Sequence, residues 1–342
     1  MLVRFSSFVG LALLLALFSC QPAESPSPAE DLRHLAGHMT VMQRGLPAEL
    51  SFCTNEVPLQ DQAIRKRLLR EVKQHLDYPS GARLLYKRAH RYQDRFLRIL
   101  RSQGVPEDFF YLAMAESGLA NLKSPVGARG FWQFMPSTAQ QYGLEVSATV
   151  DERYHPEAAT YAACRYLKSH HRTFGDWALV AASYNMGGGG LSKAMRKQQE
   201  EDYFALELNR ETGRYLYRIL SHKILMEFPE DFGIDVTRQD LYQPIRYRVV
   251  EVSENIPDLA TFAKAHNSSY LMLKTLNPWL IADHLEATPG KTYEVRFPMM
   301  NEVYAQELLV ESYVNPDKVE REEEPMETPA PEADEDLATD NS

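Results

Sequence analysis

Cysteine is scarce in this sequence, with three residues in 342, and no two of them form a Cys-x-x-Cys pair. That excludes a disulfide-stapled scaffold and a thiolate-rich metal site. The ten histidines contain no His-Glu-x-x-His spacing, and the His170-His171 pair falls in a polar helix end, so neither a metal nor another cofactor is expected. Long apolar runs are also missing. The best of them, Phe8 to Phe18, is shorter than the roughly 20 residues that span a bilayer, which excludes a multi-span membrane protein. Positive charge is in deficit, 37 Lys and Arg against 47 Asp and Glu, for a net −10, while 44% hydrophobic composition excludes wholesale disorder. The deficit is local. Residues 316–342 hold eleven carboxylates against Lys318 and Arg321, a net −9 that leaves −1 for residues 1–315. With a near-neutral body and no evident basic patch, no nucleic-acid partner is expected.

What is present begins with a secretory signal. Arg4 precedes the apolar run, which stops at the small Ser19 and Cys20. Leu17-Phe18-Ser19-Cys20 resembles a bacterial lipobox, so residues 1–19 are expected to be a cleaved signal peptide and Cys20 the lipidated first residue of the mature chain. Two acyl chains hold a protein on a bilayer where one is marginal. Gln21 to Asp31 is rich in Pro and Ser and reads as a solvated tether within a linker at 20–50. Gln21 after Cys20 is consistent with outer-membrane sorting in a Gram-negative envelope. Cys53 and Cys164 read as two small buried hydrophobes rather than a pair.

Apolar residues recur at helical spacing from about Asp61 to Phe228, and strand-like alternation is scarce there. Helices are predicted over 61–76, 82–102, 106–116, 136–142, 156–171, 177–184 and 211–228. Pro106, Pro136 and Pro156 stand where a first turn favours proline, with Glu107, Asp108 and Glu157 just inside. After Phe232-Gly233 the texture changes. Residues 247–252 alternate like a strand, 256–266 and 269–277 read as short helices, and 292–297 as a returning strand. The expected fold is therefore mainly α, an all-α body followed by a small βααβ module at 245–298. Residues 316–342 have almost no large apolar residue and are expected to be disordered.

Three segments carry groups suited to chemistry. Glu116 ends the apolar run Phe109 to Ala115, and desolvation beside a core disfavours an ionised carboxyl, as a general acid near neutrality requires. Ser124 to Pro136 is a glycine-punctuated loop. In it Gln133 supplies an amide for hydroxyls or acetamides, and Trp132 or Phe134 a stacking face, all suited to a sugar; the alternative is that Trp132, Phe134 and Met135 are simply core. Ala181 to Gly190 is a small-residue helix that stops in glycines, with Tyr184 and Asn185 at its end; no Lys-Ser or Lys-Thr closes it as a phosphate cradle.

Glu116-Ser117-Gly118, Ser124 to Pro136, Tyr142-Gly143-Leu144 and Ala182 to Gly190 together resemble the successive motifs of the soluble-lytic-transglycosylase-like catalytic domain, a lysozyme-like α fold. Asp151-Glu152-Arg153, Ala162 to Leu167, Phe174 to Trp177 and Glu211 to Tyr215 resemble the membrane-bound type D branch of the lytic murein transglycosylases. The resemblance covers 105–233, with residues 51–104 as the helical part of the body ahead of it. It implies that Glu116 is the catalytic acid and base, and that Ser124, Gln133, Tyr184 and Asn185 bind substrate. The Glu116 to Ser124 interval is one residue shorter than in many members, and Gly188 replaces a usual acidic residue. The 245–298 module resembles a LysM domain, a glycan-binding unit, although Ser253-Glu254-Asn255 replaces the usual Gly-Asp turn.

The implied partner is the peptidoglycan glycan strand, with the bilayer held through the Cys20 acyl chains. The implied reaction cuts the MurNAc-β-1,4-GlcNAc bond and closes a 1,6-anhydro ring. A retaining glycosidase places two carboxyls about 5 to 5.5 Å apart and an inverting one about 6.5 to 9.5 Å apart. No second carboxylate lies in the three motifs. Asp151, Glu152 and Asp176 read as caps or structural ion pairs. The alternatives are a non-catalytic peptidoglycan-binding lipoprotein and a hydrolytic muramidase.

Overall fold

A computed structural model of the chain describes residues 45–299. The signal, Cys20, most of the 20–50 linker and the acidic tail lie outside the described residues. The fold opens with a hairpin of two short strands, β1 (Ser51–Phe52) and β2 (Asn55–Glu56). Strands of two residues leave no alternation for a sequence pattern to reveal.

Helix α1 (Gln62–Asp77) starts where the Asp61 carboxylate accepts from the backbone N–H groups of Ala63 and Ile64, and it buries Ile64, Leu68, Val72 and Leu76 at four-residue spacing. Then come α2 (Pro79–Ser102), α3 (Phe109–Ser117), α4 (Pro136–Gln141), α5 (Pro156–Phe174) and α6 (Trp177–Met186). The helix expected from Pro106 starts three residues later, at Phe109, because residues 107 and 108 form a turn. Gly187, at φ 81°, stops α6 as the glycines suggest, yet Gly188 opens a further helix, α7 (Gly188–Gln198). Glycine's poor helix propensity concealed that element.

Helix α8 (Thr212–Glu227) runs through the centre, packed by α1, α3 and α6, with Tyr215, Leu216, Tyr217, Leu220 and Leu225 all nearly inaccessible. No helix among the described residues is long and apolar enough to cross a membrane. Cys53 and Cys164 are free; Cys164 is fully buried and Cys53 partly so.

The chain ends in a βααβ module of β3 (Tyr247–Val252), α9 (Leu259–Ala265), α10 (Tyr270–Leu276) and β4 (Tyr293–Pro298), the strands antiparallel from Tyr247↔Pro298 to Val252↔Tyr293. It is docked on the helical body. Val150 of the body sits in the module's apolar core with Leu280, Leu285 and Val295. Asp151 N donates to Trp279 O (2.8 Å), and Ile281 N to Thr149 O (3.0 Å). Lys291 Nζ lies 2.8 Å from Glu145 and 2.6 Å from Glu152, and Arg296 pairs with Glu157 at 2.7 Å.

Candidate active site

Glu116 occupies the last turn of α3, a helix whose Phe109, Phe110, Leu112, Ala113 and Met114 are fully buried. Gly118 caps that helix in the left-handed region at φ 57°, a conformation that a Cβ resists, and so turns the chain away directly after Glu116 and Ser117. Ser117 Oγ donates to Phe131 O (2.9 Å), which ties the end of α3 to the 124–136 loop. Glu116 is half-buried, and the phenol of Tyr215 on α8 donates to its Oε1. Burial, with the Glu116 charge next, pushes the Tyr215 phenol well above its ordinary value, and the same two causes act on Tyr184. Two neutral phenols therefore stand near one carboxylate across the working pH range.

Tyr184 at the end of α6 sends its hydroxyl elsewhere, to Trp132 O (2.7 Å). It thereby fixes the loop residue next to Gln133. Gln133 is half-buried with φ 47°; its Nε2 donates to Gly130 O (2.8 Å) and Leu122 O (3.3 Å), and its Oε1 has no hydrogen bond among the described residues. That oxygen is available to a ligand donor. Asn185 joins two helices: Oδ1 accepts from Thr212 Oγ1 (2.7 Å), and Nδ2 donates to Glu211 Oε1 (3.2 Å). Ser124 Oγ accepts from Ala128 N (2.9 Å) and shapes its own turn.

The loop is held from behind. Asp151, fully buried, takes Arg153 at 2.8 and 2.7 Å and Arg129 at 2.9 Å; Arg153 Nη1 in turn donates to Gly127 O (3.0 Å) and Phe134 O (3.1 Å). Gly130, at φ 81°, brings its backbone so close that a Cβ there would sit 1.8 Å from Arg153 O. No larger residue fits this crossing.

Two expectations change. Trp132 and Phe134 offer no sugar-stacking face: Trp132 is fully buried, stacked on Phe96 and bonded to Thr160 Oγ1 (2.9 Å), and Phe134 is almost as deep. Met135, by contrast, is exposed. The sequence places Tyr215 and Glu211 in a family-like motif without giving either a part in the site. A tyrosine inside a long apolar helix must find a partner for its hydroxyl, and that was the available signal. Glu211 is exposed and immediately precedes α8, four residues ahead of Tyr215. Of the other carboxylates, Asp176 caps α6 by accepting from Leu179 N (2.9 Å), and Glu152 is held by Lys291 and Glu145 N.

Residues 81–206 match the transglycosylase SLT domain, and residues 248–301 match the soluble lytic transglycosylase C-terminal LysM-like domain. Membrane-bound lytic murein transglycosylase D of Escherichia coli (strain K12) is 28% identical over 184 residues, 52% of this chain and 40% of that protein. The chain thus spans less than half the length of that relative. A putative tributyltin chloride resistance protein of Alteromonas sp. (strain M-1) is 27% identical over 110 residues, 32% of this chain and 53% of that one. Two solved structures align at low similarity. An inactive mutant of the lytic transglycosylase Slt from Pseudomonas aeruginosa has a TM-score of 0.35 at 18% identity, over 66% of this chain and 41% of that one. The soluble lytic transglycosylase SLT70 from Escherichia coli has a TM-score of 0.36 at 17% identity, over 63% and 45%.

Proposed function

Since the chain carries a transglycosylase SLT domain followed by a LysM-like domain, we propose that it is a peptidoglycan lytic transglycosylase with Glu116 as its single acid and base. The observation that carries this reading is Glu116 itself, a half-buried carboxyl at the end of an apolar helix with the Tyr215 phenol on one of its oxygens.

Protonated Glu116 donates to the glycosidic oxygen between MurNAc and GlcNAc. The muramyl acetamide supports the oxocarbenium-like centre as the bond breaks. Ionised Glu116 then takes the proton of the muramyl C6 hydroxyl as that oxygen attacks C1, which closes the 1,6-anhydro ring. Proton transfer of this kind contributes about 10²- to 10⁴-fold. Gln133 presents its free Oε1 to a substrate donor, Tyr184 holds the loop that carries it, and Asn185 and Ser124 supply further polar contacts to the glycan. Asp151, Glu152 and Asp176 are committed to ion pairs and helix caps, which supports a mechanism without a second catalytic carboxylate.

The catalytic unit is taken as 105–233 with residues 51–104 supporting it, the LysM-like module as 245–298, and the linker as 20–50 behind a signal at 1–19. Lipidation at Cys20 would hold the enzyme on the periplasmic side of the outer membrane, where it remodels the wall. Glu116→Gln is expected to keep binding to purified sacculi and to release no muropeptides. Undiminished release by that variant would remove Glu116 from the chemistry.

A further inference from the structure

The near-neutral sum over residues 1–315 conceals a strong segregation of charge. Residues 62–102, the span of α1 and α2, contain twelve Lys and Arg against Glu71, Asp77 and Asp94, a net +9. Part of this is internally matched: Lys73 pairs with Asp77, Arg95 with Glu157 and Arg101 with Glu107, while buried Glu71 is taken by Arg214. Six others, Arg65, Lys66, Arg67, Arg70, Arg88 and Arg98, make no ion pair among the described residues and are exposed or half-exposed. The hairpin of α1 and α2 thus exposes cations that the described ion pairs do not balance. The near-neutral sum arises by averaging: a +9 hairpin is cancelled in it by acidic residues elsewhere in the body.

We propose that these exposed cations of α1 and α2 are held by the chain's own acidic segment, residues 316–342. The charges are complementary: the segment carries a net −9, and the hairpin exposes the six cations named above. Position favours the same pairing. The last strand, β4, ends at Pro298, register partner of Tyr247, and the Tyr247 ring lies under the Arg95 guanidinium of α2 at 5.4 Å. The chain thus leaves the described fold beside the basic helix. So does reach. Sixteen residues, 300–315, separate the exit from the acidic segment. At roughly 3.3 Å per residue they span up to about 50 Å, more than the ~36 Å length of α2. A tail bound in this way covers the guanidinium groups that would otherwise meet an anionic surface, so it acts as a built-in competitor for phosphate-bearing bilayers.

A zero-length carbodiimide, which joins an amine to a carboxylate only in contact, tests the proposal on the full chain. Lys66 and Lys87 are expected to cross-link to carboxylates between Asp317 and Asp340 within one molecule. The yield should fall about tenfold in 0.5 M salt, where the screening length drops to a few ångströms. Arg67→Glu with Arg70→Glu and Arg88→Glu should abolish the cross-links. Glu322→Gln with Glu323→Gln and Glu324→Gln should weaken them while leaving the body untouched, so a folding defect on one side cannot mimic the result. Cross-links found only between an isotopically labelled and an unlabelled copy would overturn the intramolecular arrangement. So would a full chain that shows no tail cross-links while binding phosphatidylglycerol vesicles through the same arginines, since these cations would then belong to the bilayer.

Discussion

The hydroxyl of Tyr215, on a side chain with 1% exposure, donates to Glu116 Oε1, and its helix is anchored one residue earlier by the Arg214–Glu71 pair at 2.7 Å. A hydrogen bond to a charged group contributes about 1.5 to 3 kcal/mol. Tyr215→Phe is accordingly expected to lower kcat by roughly 10- to 100-fold, with KM little changed, because the phenol orients the acid and not the glycan. Steady-state turnover on soluble glycan fragments checks this, and an unchanged kcat would mean that the contact has no part in turnover. Asp151 makes a different demand. It is inaccessible and holds two guanidinium groups, so Asp151→Asn leaves buried positive charge uncompensated, at a cost of about 3 to 5 kcal/mol. Denaturant unfolding should show that loss, and a wild-type midpoint would contradict the role given to the network behind the 124–136 loop.

Among the helices, α1 and α8 carry a pH sensitivity that has nothing to do with the cleft. His75 and His222 face each other across their contact at 4.9 Å between ring centroids, and His75 also reaches Ser221 Oγ (3.1 Å). Burial lowers His75 from 6.5 to about 4, and burial, then the charges of His75 and Arg218, hold His222 well below its ordinary value. The unfolded chain therefore binds protons that the folded chain refuses. Stability is full above about pH 6.5 and is lost as pH falls toward 4, at about 1.4 kcal/mol per pH unit for each such group. Melting curves at pH 7 and pH 5 should show a steeper fall for the native chain than for His75→Gln. Equal slopes would contradict the assignment.

Helices were the most legible part of the sequence, because α1, α2, α5 and α8 repeat apolar residues over four or more turns. What escaped was short or governed by distant contacts. The β1–β2 hairpin is too brief to show a period, α7 hides behind three glycines, and Trp132 looks like a platform until Phe96 covers it.

Taken whole, the molecule joins its two matched domains more closely than a tether would. The Thr149–Asp151 segment adds to the module through Trp279, Leu280 and Ile281, and the same Asp151 braces the cleft loop through Arg153. The module thus stands directly behind the candidate site. None of this was legible in the sequence, where residues 149–151 and 279–281 are far apart and carry no shared pattern. Glu116 and the Ser124 to Pro136 loop stand out as candidates in the sequence because the apolar run and the glycines that mark them are local, whereas Tyr215 meets Glu116 across 99 positions and only through the fold. The reading of Glu116 as sole acid and base is tested most directly by digesting purified sacculi with the full chain and weighing the released muropeptides by mass spectrometry. Products one water lighter than their hydrolysed counterparts, with no reducing muramic acid ends, are expected. Hydrated reducing ends, or no release at all, would contradict it.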